Sequence, residues 1–317
     1  CDGITATALL TETLRRLDTD VEPLLASRFD GGYGVTPAAA RRIAAAAPTL
    51  LVTCDCGSSD HAVLADLGRQ GMDVVVIDHH LVPDEPLPVH AFLNPHRPDC
   101  GYPYDGLASC GLALTLAAAL RGELGVDLDL RDTLDLVAIG TIADVAPLDG
   151  DNRVLVRAGL ARLRQPKRPG LRALAELAAL GADAPVGSED VAFRIAPRLN
   201  APGRLGPPDA ALELLLAADA PRAAALAAEL EQRTAERRAE QHAQLVDHRQ
   251  VARVRDHHHQ RPPLAVVRHE PVAKHQVRRD RAEQVVVDLE LLQVDQLHAV
   301  ALGQPARARQ LLAPVLG

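Results

Sequence analysis

The stretch DVVVIDHH, residues 73–80, joins an apolar extended run to three polar side chains at its end. Runs of β-branched residues that are apolar throughout are typical of parallel sheets covered on both faces. A second run, Thr49–Cys54, ends directly before Asp55. The segment between the runs, His61–Gln70, has a helical pattern. Strand, helix and strand at this spacing predict a βαβ unit.

Helical patterns continue on both sides of this unit, each with apolar residues spaced for one helix face. They cover Thr5–Leu17, Pro37–Ala47, Leu107–Leu120, Leu130–Ile142 and Arg153–Leu163. A further segment, Asp219–Gln241, pairs Glu and Arg at i, i+4 spacing, as in long exposed helices. The sequence therefore predicts an α/β fold, with a mostly parallel sheet flanked by helices and followed by a long connecting helix.

Composition limits the class of protein. The chain has 317 residues, no Trp and three each of Phe and Tyr, so its core must be aliphatic. The sequence has no apolar run of about 18 residues, the length that a membrane span requires, and we recognise no secretory leader. Five cysteines without a C-x-x-C pair favour a reducing, cytoplasmic location. The net charge of −8 disfavours phosphate binding, so any nucleic-acid path must be a local basic stripe.

Polar side chains follow the predicted strands where each strand ends. Asp55 follows the first strand and Asp78 the second, while Asp2 lies just before the first helix. Because the carboxyl ends of parallel strands form one crevice, these carboxylates and the His79–His80 pair should converge. Asp and His ligands without Cys favour Mn²⁺ or Mg²⁺, with Zn²⁺ as an alternative. Each Asp taken alone could instead be a turn or helix-capping residue.

Two further features have a functional and a structural interpretation. Asp144 lies in an apolar stretch, where a buried carboxylate is costly unless it is paired or binds a cation. It could instead be a solvated residue in a helix C-terminal turn. A basic stretch could form a path for a polyanion or merely a solvated surface. This stretch comprises Arg157, Arg162, Arg164, Lys167, Arg168 and Arg172.

The motifs resemble a known superfamily. Asp78-His79-His80 at a strand end resembles the signature of the DHH phosphoesterases, and Asp2-Gly3 resembles the end of their first motif. VTCDCG (52–57) is similar to the second motif, and Asp144 lies in what resembles the fourth. Within the superfamily, the segments that follow resemble the RecJ family of single-strand-specific exonucleases. They are RFDGGYG (28–34), LNP (93–95), GTIADVAPL (140–148) and APRLNAPGRL (196–205).

The resemblance, which covers about residues 1–240, implies a two-metal site that binds Mn²⁺ or Mg²⁺. Asp55 would bridge the two ions. Asp2, His79 and Asp144 would complete one of the two positions. The other position would be incomplete here, because the upstream part of the first motif is absent and we expect residues to precede Cys1.

The resemblance also implies roles toward substrate. His80 would contact the scissile phosphate, and Asp78 would support the histidines. Arg198, Asn200 and Arg204 would contact the DNA backbone. The catalytic residues would be Asp55, His79, His80 and Asp144.

The implied activity is metal-dependent exonuclease cleavage of single-stranded DNA, 5′-to-3′, in DNA repair and recombination. A repair helicase or a single-strand-binding protein would be a partner, and no membrane is implied. One alternative is a DHH phosphodiesterase acting on short oligonucleotides or cyclic dinucleotides. Another is a non-catalytic DNA-binding scaffold.

The resemblance divides the chain into three parts. Residues 1–205 would form the DHH catalytic domain and residues 206–241 a helical connector. Residues 242–317 are unassigned: glycine is absent from 207 to 302, although folded α/β domains normally use it at turns. We interpret this tail as a frameshifted remnant of the DHH-associated domain, in which the His257-His258-His259 run is no metal site. A diverged but real domain is the alternative.

Overall fold

The computed structural model describes residues 1–180, 185–257 and 285–286. The helices are α1 (Asp2–Arg15), α2 (Pro37–Ala46), α3 (His61–Arg69), α4 (Ser109–Leu124), α5 (Leu134–Ala143), α6 (Gly150–Leu163), α7 (Pro169–Leu177), α8 (Ser188–Asp190), α9 (Ala196–Asn200), α10 (Pro202–Leu205), α11 (Asp209–Leu216) and α12 (Ala220–His257). The strands are β1 (Leu24–Leu25), β2 (Leu50–Cys54), β3 (Asp73–Ile77), β4 (Ala91–Leu93) and β5 (Val285–Val286). Among these residues, no helix has the length and apolar character needed to cross a bilayer.

The main sheet has the order β2-β3-β4, and both pairings are parallel. Residues of β2 and β3 alternate between two faces, as the period of a strand requires. Val52, Val75 and Ile77 join the core that contains α1, α4 and α5. Leu51 and Val76 join a second core that α2 and α3 cover. The sheet is therefore covered on both faces, which is why both strands are apolar throughout.

The helices on the first face are buried to an unusual degree. Every residue of α5 from Leu134 to Ile142 is buried, and so are most residues of α1 and α4. A helix that is apolar all round is typical of a core position. Helices outnumber strands in the described residues, and the predicted α/β class with a long helix after it is confirmed.

Several boundaries differ from the sequence predictions. α1 begins at Asp2 instead of Thr5, and its first helical hydrogen bond runs from the Thr5 amide to the Cys1 carbonyl at 3.0 Å. α11, in the predicted connector, packs its buried leucines against the core. α12 continues to His257, beyond the predicted end of the connector. Most of the tail from 258 lies outside the described residues, so its interpretation as a frameshift stays a prediction.

Helices α5 and α6 approach so closely that only glycine fits between them. A Cβ atom on Gly159 would lie 2.1 Å from the Leu134 carbonyl oxygen and 2.5 Å from the Ala138 Cβ. We expect Gly159→Ala to lower the free energy of unfolding by about 1–3 kcal/mol, because overpacking forces the helices apart. Urea denaturation followed by circular dichroism measures this change.

Gly68→Ala is the matched control, because Gly68 is also helical but a Cβ there would meet nothing within 4 Å. That substitution should leave stability unchanged or raise it by about 0.5–1 kcal/mol, as alanine favours helix. Equal stability of Gly159→Ala and the wild type would show that the α5–α6 spacing is not fixed by glycine.

Candidate metal centre

Asp55 is held in a rare backbone conformation directly after β2. Its φ of +64° lies in the left-handed region, which residues other than glycine seldom adopt. Its amide donates to the Ile77 carbonyl at 2.9 Å, which extends the sheet by one step. Its carboxylate accepts from the Gly3 amide at 3.1 Å and from the Ser109 hydroxyl at 3.3 Å. These contacts fix the carboxylate at the carboxyl end of the sheet.

Asp2 is buried against the start of helix α4. One carboxylate oxygen accepts from the Ser109 amide at 2.6 Å and the other from the Cys110 amide at 2.9 Å. Free amides at a helix N-terminus stabilise an anion. Burial, followed by the nearby charge of Asp55, nevertheless raises the pKa of the Asp2 carboxyl. These two effects oppose the stabilisation that the helix amides and His79 give to the ionised carboxylate.

His79 lies among three carboxylates. Its Nε2 atom lies 3.3 Å from Asp55 Oδ1, 3.6 Å from Asp144 Oδ2 and 3.9 Å from Asp2 Oδ2. Burial alone would lower the pKa of His79, but these carboxylates raise it to about 10. Neither His79 Nε2 nor Asp144 Oδ2 has a hydrogen-bond partner, although both atoms are buried. The four residues predicted as ligands of one ion thus converge on a gap between polar atoms.

Asp144 follows the last residue of α5 and projects into the same group. Its side chain is 20 % exposed. Burial and the charges of Asp2 and Asp55 raise the pKa of its carboxyl to about 6. The alternative of a fully solvated turn residue does not fit this burial.

Asp78 holds His80 in a defined orientation. Its Oδ1 accepts from His80 Nδ1 at 2.5 Å and from the His79 amide at 2.9 Å, and its Oδ2 accepts from the Ser58 amide at 3.2 Å. Burial alone would raise the pKa of Asp78, but the hydrogen bonds and charges of the histidines lower it to about 2. With Nδ1 bound to Asp78, only Nε2 of His80 remains for another ligand.

Asn94 is a buried supporting residue to which the sequence assigned no role. Its amide nitrogen donates to the His80 carbonyl at 2.8 Å and to the Ser58 hydroxyl at 3.3 Å. It follows β4, a strand of three residues that the sequence did not predict because it is too short to show alternation. Its only signal was the family-like LNP segment.

These side chains line a cleft of about 390 Å³. Two of the three predicted DNA-contacting residues, Asn200 and Arg204, are part of its lining. Arg28, His96 and Asp105 also line it, and sequence reasoning assigned no role to any of them. The cleft therefore combines an acidic, histidine-containing floor with guanidinium groups from distant segments.

Arg198, the third predicted DNA contact, does not reach the cleft. It is 7 % exposed, and its Nε donates to Glu231 at 2.5 Å. Its Nη1 donates to the Arg194 carbonyl at 2.6 Å. The prediction that it contacts DNA therefore does not fit the structure, in which it ties α9 to α12. Sequence could not distinguish the two roles because Glu231 lies 33 residues away.

Three of the six residues in the predicted basic path pair with acidic side chains. Arg162 and Lys167 both pair with Asp132, at 2.9 and 3.0 Å. Arg168, whose side chain is 11 % exposed, pairs with Glu12 and with Asp135. These pairs favour the structural interpretation of the stretch.

Removal of the Arg198 guanidinium should destabilise the fold. We expect Arg198→Ala to lower the free energy of unfolding by about 1–3 kcal/mol, because the variant loses a nearly buried guanidinium and its charged hydrogen bonds to Glu231, which is itself only partly exposed. Arg222→Ala is the control, since the Arg222–Glu213 pair is about half exposed and such pairs contribute about 0–1 kcal/mol. Urea melts of both variants test this, and an equal small effect would argue against a structural role for Arg198.

The residues fit a hard divalent cation. Neighbouring ligands of an octahedral ion with bonds of about 2.0–2.1 Å lie about 3 Å apart, close to the separations around His79 Nε2. Asp55, His79 and His80 also offer ligand atoms that all lie within 4.8 Å of one another. Carboxylate and imidazole donors without thiolates suit Mn²⁺ or Mg²⁺. An ion there would give the two unpartnered atoms, His79 Nε2 and Asp144 Oδ2, their missing contacts.

The chain is similar to known proteins over most of its length. Residues 1–141 match the DHH family, N-terminal domain. The single-stranded-DNA-specific exonuclease RecJ of Dickeya dadantii (strain 3937) is 44 % identical over 243 residues, which are 73 % of this chain and 42 % of that protein. The chain thus spans less than half the length of this curated relative.

Solved structures give the same result. A crystal structure of exonuclease RecJ bound to manganese has a TM-score of 0.70 and 40 % identity, covering 78 % of this chain and 62 % of that one. A structure of RecJ from Thermus thermophilus in complex with Mg²⁺ has a TM-score of 0.58 and 36 % identity, covering 78 % of this chain and 32 % of that one. Residues 1–141 thus match the N-terminal domain of the DHH family, and the chain resembles RecJ in both sequence and structure.

Proposed function

We propose that this chain is the catalytic part of a metal-dependent exonuclease that hydrolyses phosphodiester bonds of single-stranded DNA. One observation carries the proposal: carboxylates from three separate segments lie 3.3–3.9 Å from His79 Nε2. The likeness to RecJ, a single-stranded-DNA-specific exonuclease, supports the choice of substrate. The 5′-to-3′ direction and a role in DNA repair and recombination are what the sequence resemblance implies. Residues 1–205 would be the catalytic domain and 206–241 its connector.

The proposed metal ligands are those that surround the gap. Asp2, His79 and Asp144 would complete one position, and Asp55 would bridge to a second. Mn²⁺ or Mg²⁺ bound there would lower the pKa of a water molecule and neutralise charge on the phosphate. The amides at the start of α4 would keep Asp2 in place whether or not an ion is bound.

The remaining cleft residues would act on the substrate. His80, held by Asp78 through Nδ1, would donate from Nε2 to a non-bridging phosphate oxygen. Arg204 and Asn200, which line the same cleft, would bind the neighbouring backbone. The phosphodiester would thus lie between hydrogen-bond donors on one side, from His80, Arg204 and Asn200, and the metal-binding carboxylates on the other.

A cleavage assay tests the proposal against its rivals. The chain would be incubated with Mn²⁺ and a labelled single-stranded DNA of about 40 nucleotides, its duplex form, and a dinucleotide. We expect mononucleotides from the single strand and little from the duplex. Preference for the dinucleotide would favour a phosphodiesterase of short oligonucleotides. DNA binding without cleavage and without Mn²⁺ binding would favour a scaffold.

Arg204→Ala should weaken DNA binding without affecting the metal group. We expect affinity for single-stranded DNA to fall about tenfold and the slope of log K against log salt to become shallower by about 1, because one phosphate contact is lost. Fluorescence anisotropy at several salt concentrations measures both quantities. Arg69→Ala, in an exposed pair on α3, is the control. An unchanged slope in Arg204→Ala would place the DNA elsewhere.

Two predictions from the resemblance and from composition belong to this proposal. A repair helicase or single-strand-binding protein would be a partner, and the location would be cytoplasmic. Copurification from cells with and without damaged DNA tests the partner.

A further inference from the structure

Asp60 occupies the position just before α3, where aspartate usually caps its own helix. Here its carboxylate makes no capping hydrogen bond to α3. Instead, Oδ2 accepts from the Val35 amide at 2.6 Å, 25 residues earlier in the chain. The usual reason for aspartate at this position therefore does not apply, and the side chain serves a contact between two loops.

The neighbouring glycine shows how close this contact is. Gly34 has a φ of +92°, and a Cβ atom there would lie 2.6 Å from Asp60 Oδ1 and 2.9 Å from Oδ2. Both the backbone conformation and the space therefore require glycine. The backbone of Gly34 and Val35 therefore packs directly on the Asp60 carboxylate.

The contact between Asp60 and Val35 partly buries the Asp60 carboxyl. Burial raises the pKa of the Asp60 carboxyl, and the hydrogen bond from Val35 only partly counters this. A carboxylate that is half buried beside a backbone amide stays ionised less readily than one in water. What the Asp60 carboxylate contributes at this position is an acceptor oxygen for the Val35 amide.

The segment Ser27–Val35, here called the cleft loop, is also held at its last residue, where the Val35 side chain is buried in the second core. The described residues before it are partly or fully exposed. Gly31 and Gly32 have φ values of +105° and +113°, and Phe29 and Tyr33 are 61 % and 47 % exposed. Its Arg28 lines the metal cleft and lies 5.4 Å from the Tyr33 ring centroid. A glycine-rich loop with exposed side chains needs a fixed point if it is to hold a guanidinium group in one place.

We propose that Asp60 is a positioning residue that anchors the cleft loop so that Arg28 faces the anionic substrate. This inference rests on the proposed function, because it assigns Arg28 a phosphodiester backbone to bind. Loss of the anchor would let the loop move while β2, β3 and the metal group keep their own contacts. Substrate affinity would then fall, whereas Mn²⁺ binding and the chemical step would not.

Three variants separate this role from a general loss of stability. Asp60→Ala removes the acceptor, Asp60→Asn keeps one acceptor oxygen, and Asp66→Ala changes an exposed carboxylate on the same helix. Trypsin cleavage after Arg28, followed by mass spectrometry under native conditions, reports loop order without any activity. We expect cleavage at least fivefold faster in Asp60→Ala and a wild-type rate in the other two.

Kinetics supply the second measurement. In Asp60→Ala, KM for single-stranded DNA should rise about tenfold, kcat should stay within about twofold and the Kd for Mn²⁺ should not change. Asp60→Asn should restore KM. If Asp60→Ala does not fold, Gly34→Ala disturbs the same contact from the other side and should show the same pattern.

Equal protection of Arg28 in every variant would overturn the proposal, and so would faster cleavage with unchanged KM. A wild-type chain that does not degrade DNA would count against the proposed function alone. In that case trypsin cleavage and the anisotropy of labelled single-stranded DNA would still decide whether Asp60 anchors the loop.

Discussion

Asp55→Asn should abolish DNA cleavage and weaken Mn²⁺ binding by about 100-fold or more, while the chain keeps its fold. Asp55 contributes the carboxylate oxygen nearest to His79 Nε2, at 3.3 Å. Even residues behind the ligands of a metal site typically contribute about 10–100-fold in affinity, so a ligand should contribute at least as much. Loss of the proposed bridging carboxylate would also remove the group that sets the spacing of two ions.

Asparagine is the informative substitution because of the backbone. At a φ of +64°, alanine would strain the turn, whereas asparagine tolerates the left-handed region. The amide can still accept from Gly3 through its oxygen. A change in Mn²⁺ binding would thus report the lost charge and not a rearranged loop.

Calorimetry with Mn²⁺ and a nuclease assay on the same sample measure both effects. Asp73→Asn is the matched control, because Asp73 begins β3 at the opposite rim of the same sheet and pairs with His90. This control should bind Mn²⁺ and cleave like the wild type. If Asp55→Asn also binds Mn²⁺ like the wild type, the ion lies elsewhere.

Asp144→Asn should stabilise the metal-free chain while it weakens metal binding. In the folded state the carboxyl pKa is about 6, above the usual 3.8, so the ionised form opposes folding. The penalty is absent below pH 4, grows as the pH rises from 4 to 6, and stays constant above. A shift of this size corresponds to about 1–3 kcal/mol at neutral pH. Asparagine removes the charge that Asp2 and Asp55 repel.

Thermal melts in EDTA and in Mn²⁺ test this prediction at pH 4 and pH 7.5. In EDTA, the variant should melt higher than the wild type at pH 7.5, and the difference should vanish at pH 4. With Mn²⁺ the order should reverse, because binding stabilises only a chain that holds the ion. A variant that is less stable in EDTA at pH 7.5 would mean that Asp144 has a structural role instead.

Short sequence patterns predicted the parts of the fold that depend on neighbouring residues. The β-branched run at 73–77 predicted β3 with its exact bounds, and strand ends predicted where Asp55 and Asp78 would lie. α7 was not predicted because Arg172 was interpreted as part of the basic stretch, although Pro169 marks the first turn of the helix. Its buried leucines, Leu171 and Leu174, are three residues apart, as on one face of a helix.

Contacts between distant segments could not be predicted. Asp2 contacts the start of α4, which is more than 100 residues away in the sequence, and no local sequence pattern near Asp2 predicts that contact. The resemblance implied that Arg198 contacts DNA, but nothing in the local sequence shows that its guanidinium pairs with Glu231, 33 residues away. Tertiary structure decides which of several compatible partners each polar side chain finds.

Anomalous diffraction at the manganese edge from crystals of this chain soaked in Mn²⁺ would locate the ion itself. We expect a peak about 2.0–2.5 Å from side-chain atoms of Asp55, His79 and Asp144, with Asp2 on its buried side. A map in which manganese binds only at other surfaces, with His79 still surrounded by its carboxylates alone, would refute the metal centre.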